Sequence, residues 1–412
     1  MPGPGIELVG AEEIAEVMEV LNSGYLSRYG PSDDPSFRAK VHHVEEAIAG
    51  LSGVRHGLGL HGGGSAAIWI TLLSLGVGAG DEVIVPGFTY VASISAIVYT
   101  GATPILAEID QTFDLDPVDV EAKITPRTAA ILVVHMLGAP ARINELKAIA
   151  DRHGIPLVED CAQAFGATYE GRGVGGFGTA GTFSFNEFKT ITCGDGGMIV
   201  TDDKALYERC FAMHDQGHAP YRLESKYAPR PFLGMNFRMT ELSGAVLLAQ
   251  LRKLDLITSH LRANKAIVKD MLEEVPTIDY RTLTDAEGDL ATHLVVVLPS
   301  AEIAGNVAEE VGSKTLSESG WHTYSRMNHL LEKRTITGKG CPFDCADGEH
   351  SHGDYRAGML PQTDALLERS LSIGIGVKDP NLAPFGLRMR DGPVEARQVG
   401  ATFRDAVIKH RA

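Results

Sequence analysis

"TFSFNEFKTITCGDGGMIVTDD" runs from Thr182 to Asp203, and the rest of the chain is best read outward from it. Two apolar runs flank a polar connection, which predicts strand, loop, strand. Lys189 stands in the loop, ahead of a glycine-rich turn. A loop lysine is ordinarily a solvated surface group. The alternative is an amine held in a cleft by the rigid segments on either side.

The residues upstream favour the cleft. "DEVIVPG" (81–87), "ATPILAEID" (102–110), "TAAILVVHMLG" (128–138) and "IPLVED" (155–160) read as strands. "INELKAIADRHG" (143–154) between them has the 3.6-residue apolar period and ends in glycine, so it reads as a helix. Strands alternating with helices predict a mostly parallel sheet between helical layers, which binds ligands at the carboxyl ends of its strands. Asp160 closes one such strand and Ser184 another. An aspartate there can also cap the segment that follows it.

"GLHGGGSAAIWITLLSLGVG" (59–78) adds a glycine-rich turn opening a helix, where free N–H groups and the Ser65 hydroxyl can hold an anion. It lacks the P-loop ending and the full dinucleotide fingerprint. "FTYVAS" supplies an aromatic face through Tyr90. A phosphate site, a carboxylate, an aromatic face and a lysine together suit pyridoxal 5'-phosphate. The carboxylate keeps the pyridine nitrogen protonated, and the lysine forms the Schiff base.

These stretches resemble the DegT/DnrJ/EryC1/StrS family of fold-type I pyridoxal-phosphate enzymes, the sugar aminotransferases. The motifs are "GGGSAAI", "PGFTYVAS", "VEDCAQAFGATYEGRGVGGFGTAGTFSFNEFKTITCGDGGMIVTDD" and "GMNFRMTELSGAVLLAQL", from about residue 20 to about 260. The resemblance implies catalytic roles for Lys189 and Asp160, with Lys189 at the Schiff-base position and Asp160 at the pyridine nitrogen. It places Gln163 near the phenolic oxygen of the cofactor and Tyr90 against its ring. Gly64, Ser65, Ala66 and Ser184 fall at the phosphate, and Asn236 at the phosphate of the neighbouring subunit, which implies a homodimer with shared sites. Gly63-Gly64-Ser65 replaces the frequent Ser-Gly-Thr, and Gly194-Asp195-Gly196-Gly197 the frequent Gly-Glu-Gly-Gly.

The implied activity moves an amino group from L-glutamate or L-glutamine to a keto or aldehyde group of a sugar, nucleotide-sugar or cyclitol, in amino-sugar or secondary-metabolite biosynthesis. Relatives with histidine at the lysine position are sugar dehydratases, so a dehydratase or other lyase is the alternative within this chemistry. A non-catalytic pyridoxal-binding regulator is the alternative outside it. The implied fold is α/β, with a large cofactor domain over 1–255 and a smaller C-terminal α+β domain over 256–412. A segment of about 1–30 is expected against the small domain. The strongly helical run 239–275 forms the bridge, and "DLATHLVVVLP" (289–299) and "SLSIGIGV" (370–377) are strands of the smaller part.

Composition sets outer limits. The chain has 412 residues, a net charge of −16 and five cysteines. The acidic balance argues against nucleic acid and polybasic membrane partners. No apolar stretch is long enough for a membrane span, no signal peptide is recognisable, and the odd cysteine count suggests a reduced, cytoplasmic protein. Cys341, Cys345, His350 and His352 invite a zinc reading, but no helix signal frames the histidines. No metal is expected, and the loop 336–364 around them is read as shaping the substrate pocket. Tyr324, Arg326 and His329 in "WHTYSRMNHL" are candidate substrate contacts, whereas Cys161 and Cys193 are read as packing residues.

Overall fold

The computed structural model describes residues 3–31, 33–220, 230–345 and 353–411. Twelve strands are found among them: β1 His56–Leu60, β2 Glu82–Pro86, β3 Thr103–Ala107, β4 Thr128–Val134, β5 Leu157–Asp160, β6 Thr168–Tyr169, β7 Arg172–Gly173, β8 Ala180–Ser184, β9 Gly197–Thr201, β10 Asp279–Tyr280, β11 His293–Val297 and β12 Ser370–Gly374. Seven form the main sheet in the order β1-β9-β8-β5-β4-β2-β3. Strands β3, β2, β4, β5 and β8 run parallel, while β9 is antiparallel to β8 and β1. The short pair β6 and β7 forms a separate hairpin.

The expected strands are therefore present, and their residues explain why. Ile131 to Val134 are all buried, as an uninterrupted apolar run must be when helices cover both faces. Ile68, Leu72, Ile94 and Ile97 from helices Gly63–Leu75 and Val91–Val98 pack with Val83, Val85 and Leu132. Val120, Leu146 and Ile149 from helices Pro117–Lys123 and Ile143–His153 pack with Ile84, Ile131 and Val133. Each such side chain, fully buried, contributes about 1.5–3 kcal/mol.

Strand β1 was not legible, because "HGLGL" alternates glycine with leucine. The glycine has a steric cause. A Cβ on Gly57 would lie 2.4 Å from the Glu45 carbonyl oxygen, so glycine lets helix Lys40–Ser52 sit directly on the strand.

The helical run 239–275 is two helices, Glu241–Leu251 and Leu254–Asp270, rather than one. The break is held from a distance: Lys253 Nζ donates to Glu13 Oε1 at 2.6 Å and to the Leu8 carbonyl at 2.8 Å. Beyond it, β10, β11 and β12 form an antiparallel three-stranded sheet. Helices Leu254–Asp270 and Pro393–His410 pack on one another and share an apolar cluster with that sheet, through Ile257, Leu261, Val268, Leu294, Leu371, Phe403 and Val407.

The N-terminal segment divides its contacts. Helix Ala11–Ser23 lies against Glu241–Leu251, and Gly3 N–H donates to the Glu187 carbonyl at 2.7 Å. Among the described residues of this segment, Glu7, paired with Arg390 at 3.3 Å, is the one that reaches the C-terminal part by an ion pair. Cys341 and Cys345 are bonded to each other, a departure from the expectation of reduced cysteines; Cys161, Cys193 and Cys210 are free. His350 and His352 lie outside the described residues. No helix among the described residues is long and apolar enough to cross a membrane.

Candidate active site

The carboxyl ends of β5 and β8 bring Asp160 and the Lys189 loop to the same side of the sheet. A cavity of about 220 Å³ opens there. Tyr90, Gln163 and Lys189 all line it, together with Asn186, Trp321, His322, Asp379 and Asn381. Lys189 is half-buried, and its Nζ is hydrogen-bonded to no described residue. Desolvation pushes the amine below its ordinary value, against the opposing pull of Asp160 and Asp379. The surface-lysine reading is thereby disfavoured.

Asp160, two residues before the cavity-lining Ala162, does not itself line the cavity and is 4% exposed. Its Oδ1 accepts from Ala162 N–H at 3.0 Å, and its Oδ2 accepts from the Ser93 hydroxyl at 2.8 Å. The first bond is the local cap that any aspartate could make. The second is not local: Ser93 comes from helix Val91–Val98 and bonds in turn with Thr89 at 2.8 Å. Burial pushes the Asp160 carboxyl upward, opposed by Ala162, Ser93, Lys189 and His135. No cationic side chain among the described residues reaches ion-pair distance. A buried carboxylate in that state fits a cationic N–H partner such as a protonated pyridine nitrogen.

The neighbouring Glu159 is a structural hub. Both its oxygens are occupied, by Gly175, Phe177 and Gly178 N–H groups at 2.6–2.8 Å and by His135 Nε2 at 3.0 Å. Since His135 Nδ1 accepts from Ala141 N–H at 3.0 Å, Nε2 carries the proton and donates. Glu159, His135 and Cys161 stand close enough for a metal, but this saturated network accounts for the first two. Burial pushes the Cys161 thiol well up and Cys193 to about 12, which suits packing rather than attack.

Gly64, Ser65, Ala66 and Ser184 gather at a second place and do not line the cavity. Helix Gly63–Leu75 begins without a side-chain cap, which leaves its first N–H groups for a ligand. The glycines permit this approach: a Cβ on Gly64 would lie 2.9 Å from Ser184 Cβ, and one on Gly197 2.3 Å from the Gly63 carbonyl oxygen. Ser184 is buried at the end of β8 beside that turn. The arrangement fits a phosphate held by backbone N–H groups and a hydroxyl. Asn236 is exposed, its Oδ1 accepting from Arg238 N–H at 3.3 Å. Gln163 Oε1 accepts from Leu137 N–H at 3.0 Å.

Tyr324, Arg326 and His329 do not line the cavity. Tyr324 is fully buried, its hydroxyl donating to Asp364 Oδ2 at 2.7 Å and accepting from Leu360 N–H at 3.0 Å. Arg326 is exposed and donates to the Ser317 carbonyl at 3.2 Å. His329 faces a separate hollow with Arg334, Thr335 and Phe343. The described part of the loop 336–364 contributes to that hollow and not to the main cavity.

The cavity wall comes instead from residues the motifs did not single out. Trp321 lies 6.4 Å from Tyr90 with ring planes 29° apart, and His322 lies 5.2 Å from it. Burial pushes His322 and His293 down to about 3, so both stay neutral. The turn "KDPN" after β12 brings in Asp379 and Asn381. A Asp-Pro-Asn turn just past a strand was the available signal.

Residues 7–319 match the DegT/DnrJ/EryC1/StrS aminotransferase family, and the chain belongs to that family. It is 45% identical to the GDP-perosamine synthase of Escherichia coli O157:H7 over 207 residues, 50% of this chain and 56% of the relative. It is 40% identical to the L-glutamine:2-deoxy-scyllo-inosose aminotransferase of Streptomyces kanamyceticus over 276 residues, 64% of each. The chain thus spans less than two thirds of the length of these relatives. The structure of an aminotransferase from Psychrobacter cryohalolentis superposes with a TM-score of 0.79 at 25% identity, covering 100% of both chains.

Proposed function

We propose that this chain is a pyridoxal-phosphate-dependent aminotransferase. It takes an amino group from L-glutamate or L-glutamine and delivers it to a carbonyl of a sugar, nucleotide-linked sugar or cyclitol. The observation that carries this reading is a free, desolvated Lys189 amine lining the cavity, within electrostatic reach of a buried Asp160 that has no ion-pair partner among the described residues. Pyridoxal phosphate, when bound, supplies the electron sink that allows an amine and a carbonyl to be exchanged. Asp160 holds the proton on the pyridine nitrogen. Ser65, Ser184 and the N–H groups of the first helical turn bind the phosphate, and Tyr90 and Gln163 orient the ring. Lys189 binds the cofactor covalently, and its depressed basicity suits its Nζ to take and return a proton at the reacting carbon.

The loaded protein should lose its visible absorption when given L-glutamine or L-glutamate and regain it with a carbonyl acceptor. A protein that keeps its absorption with both donors is a lyase or a regulator, not an aminotransferase.

On this reading the protein works as a cytoplasmic homodimer, with Asn236 reaching the partner's phosphate. Support comes from the exposed apolar strip beside Asn236, where Leu233 is 99% and Met235 57% exposed. Lys189→Ala and Asn236→Asp chains are each expected to be inactive. Co-refolded together they regain part of the activity, because one of the two mixed sites carries neither defect. Heterodimers that form and stay inactive remove Asn236 from the shared site.

A further inference from the structure

The family match ends at residue 319, yet Trp321, His322, Asp379 and Asn381 all line the cavity. The floor of the cavity therefore lies inside the matched region, and much of its facing wall lies outside it. Asp379 is the one carboxylate in that wall among the described residues. Its Oδ1 is fixed by Asn381 N–H at 2.6 Å and Leu382 N–H at 3.3 Å. No cation among the described residues forms an ion pair with it. Trp321 is 49% exposed although its backbone is anchored, Val91 N–H donating to its carbonyl at 2.8 Å.

We propose that Asp379 and Trp321 select the amino acceptor: the carboxylate accepts hydrogen bonds from hydroxyls of a polyhydroxylated ring, whose apolar face lies on the indole. This rests on the aminotransferase reading. The chemistry separates the two substrates. Amino-acid donors bring carboxylates, which Asp379 repels, whereas sugars and cyclitols bring hydroxyl donors, which it accepts. The neutral His322 and His293 add no cation that would reverse this preference, and Lys189 is taken up by the covalent link to the cofactor. A broad, half-exposed indole offers the C–H face of a ring a contact it does not offer an extended amino acid.

The test uses the cofactor-loaded protein and its Asp379→Asn and Trp321→Phe variants. Asparagine keeps the Oδ1 acceptor for Asn381 and Leu382, so the turn is retained. The donor half-reaction is read by loss of visible absorption with L-glutamine or L-glutamate. The acceptor half-reaction is read by its return with 2-deoxy-scyllo-inosose and with a nucleotide-linked ketosugar. For whichever acceptor wild type uses, Asp379→Asn lowers the acceptor kcat/KM roughly 10–100-fold more than the donor kcat/KM, because the lost pull on Lys189 is common to both halves and the hydroxyl contact is lost to the acceptor alone. Equal slowing of both halves, or an unchanged acceptor half, overturns the assignment. A second reading needs no turnover: scyllo-inositol, a hydroxylated ring without a carbonyl, quenches tryptophan fluorescence in wild type and not in Asp379→Asn or Trp321→Phe. Quenching that persists in both variants also overturns it. Polyol binding lost in the variants, in a wild type that no donor bleaches, keeps the hydroxyl-reading role and removes only the aminotransferase reading.

Discussion

Replacing Lys189 by alanine leaves a folded protein that holds no cofactor covalently and transaminates at least about 10³-fold more slowly. Folding survives because Nζ forms no hydrogen bond that the fold uses, and the loop is pinned by its backbone. Phe185 N–H donates to the Gly196 carbonyl at 2.8 Å, and Cys193 N–H to the Phe185 carbonyl at 3.1 Å. Function does not survive, because no other lysine among the described residues lines the cavity to take the proton. Borohydride reduction followed by peptide mass spectrometry is the direct measurement. The adduct is expected on Lys189 in wild type and on nothing in the variant. An adduct on another lysine in wild type sinks the assignment.

Asp160→Asn tests the other half of the pair. Asparagine is nearly isosteric and can keep Oδ1 as the acceptor for Ala162 N–H, but it removes the buried charge that acts on Lys189. The single-turnover rate with an amino donor is expected to fall about 10²–10³-fold, while the covalent link to Lys189 still forms. The amine also responds with a definite sign. Asp160 is one of two carboxylates that hold the Lys189 ammonium up, so its loss lowers that pKa further. Rates near wild type would reduce Asp160 to a loop cap.

The parts legible in the sequence are those set by short-range pattern. The uninterrupted apolar run marked β4 and the shorter apolar cores of β2 and β5 marked those strands, because a strand covered on both faces shows no alternating polar side. Lys189 and Asp160 were legible because Asp160 closes β5 and Lys189 follows β8 within a few residues. Strand β1 was hidden by glycines whose cause, the Glu45 carbonyl, lies on another element. The helix break at 252–253 depends on Glu13, far away in the chain. Tyr324 misled for a related reason. A tyrosine in a polar stretch reads the same whether its hydroxyl faces a ligand or, as here, Asp364 in the core. Trp321 and Asp379 meet only when the last third of the chain folds back over Tyr90, which no local periodicity encodes.

The loop bearing Lys189 also bears on the order of assembly. It is touched by Gly3 through the Glu187 carbonyl and by Gln250 Oε1 through Thr192 N–H at 3.4 Å, while Asp379 closes the cavity from near the other end of the chain. Contacts so distant in sequence form late, since the intervening chain must be ordered before they can close. During synthesis the lysine leaves the ribosome well before the segment that walls it in. Until Asp379 and its neighbours in the turn have been made, that amine lacks one wall of its cavity and stands open to any aldehyde in its surroundings. A finished pocket is thus also a protecting group, and the final stretch of translation is when it is put in place.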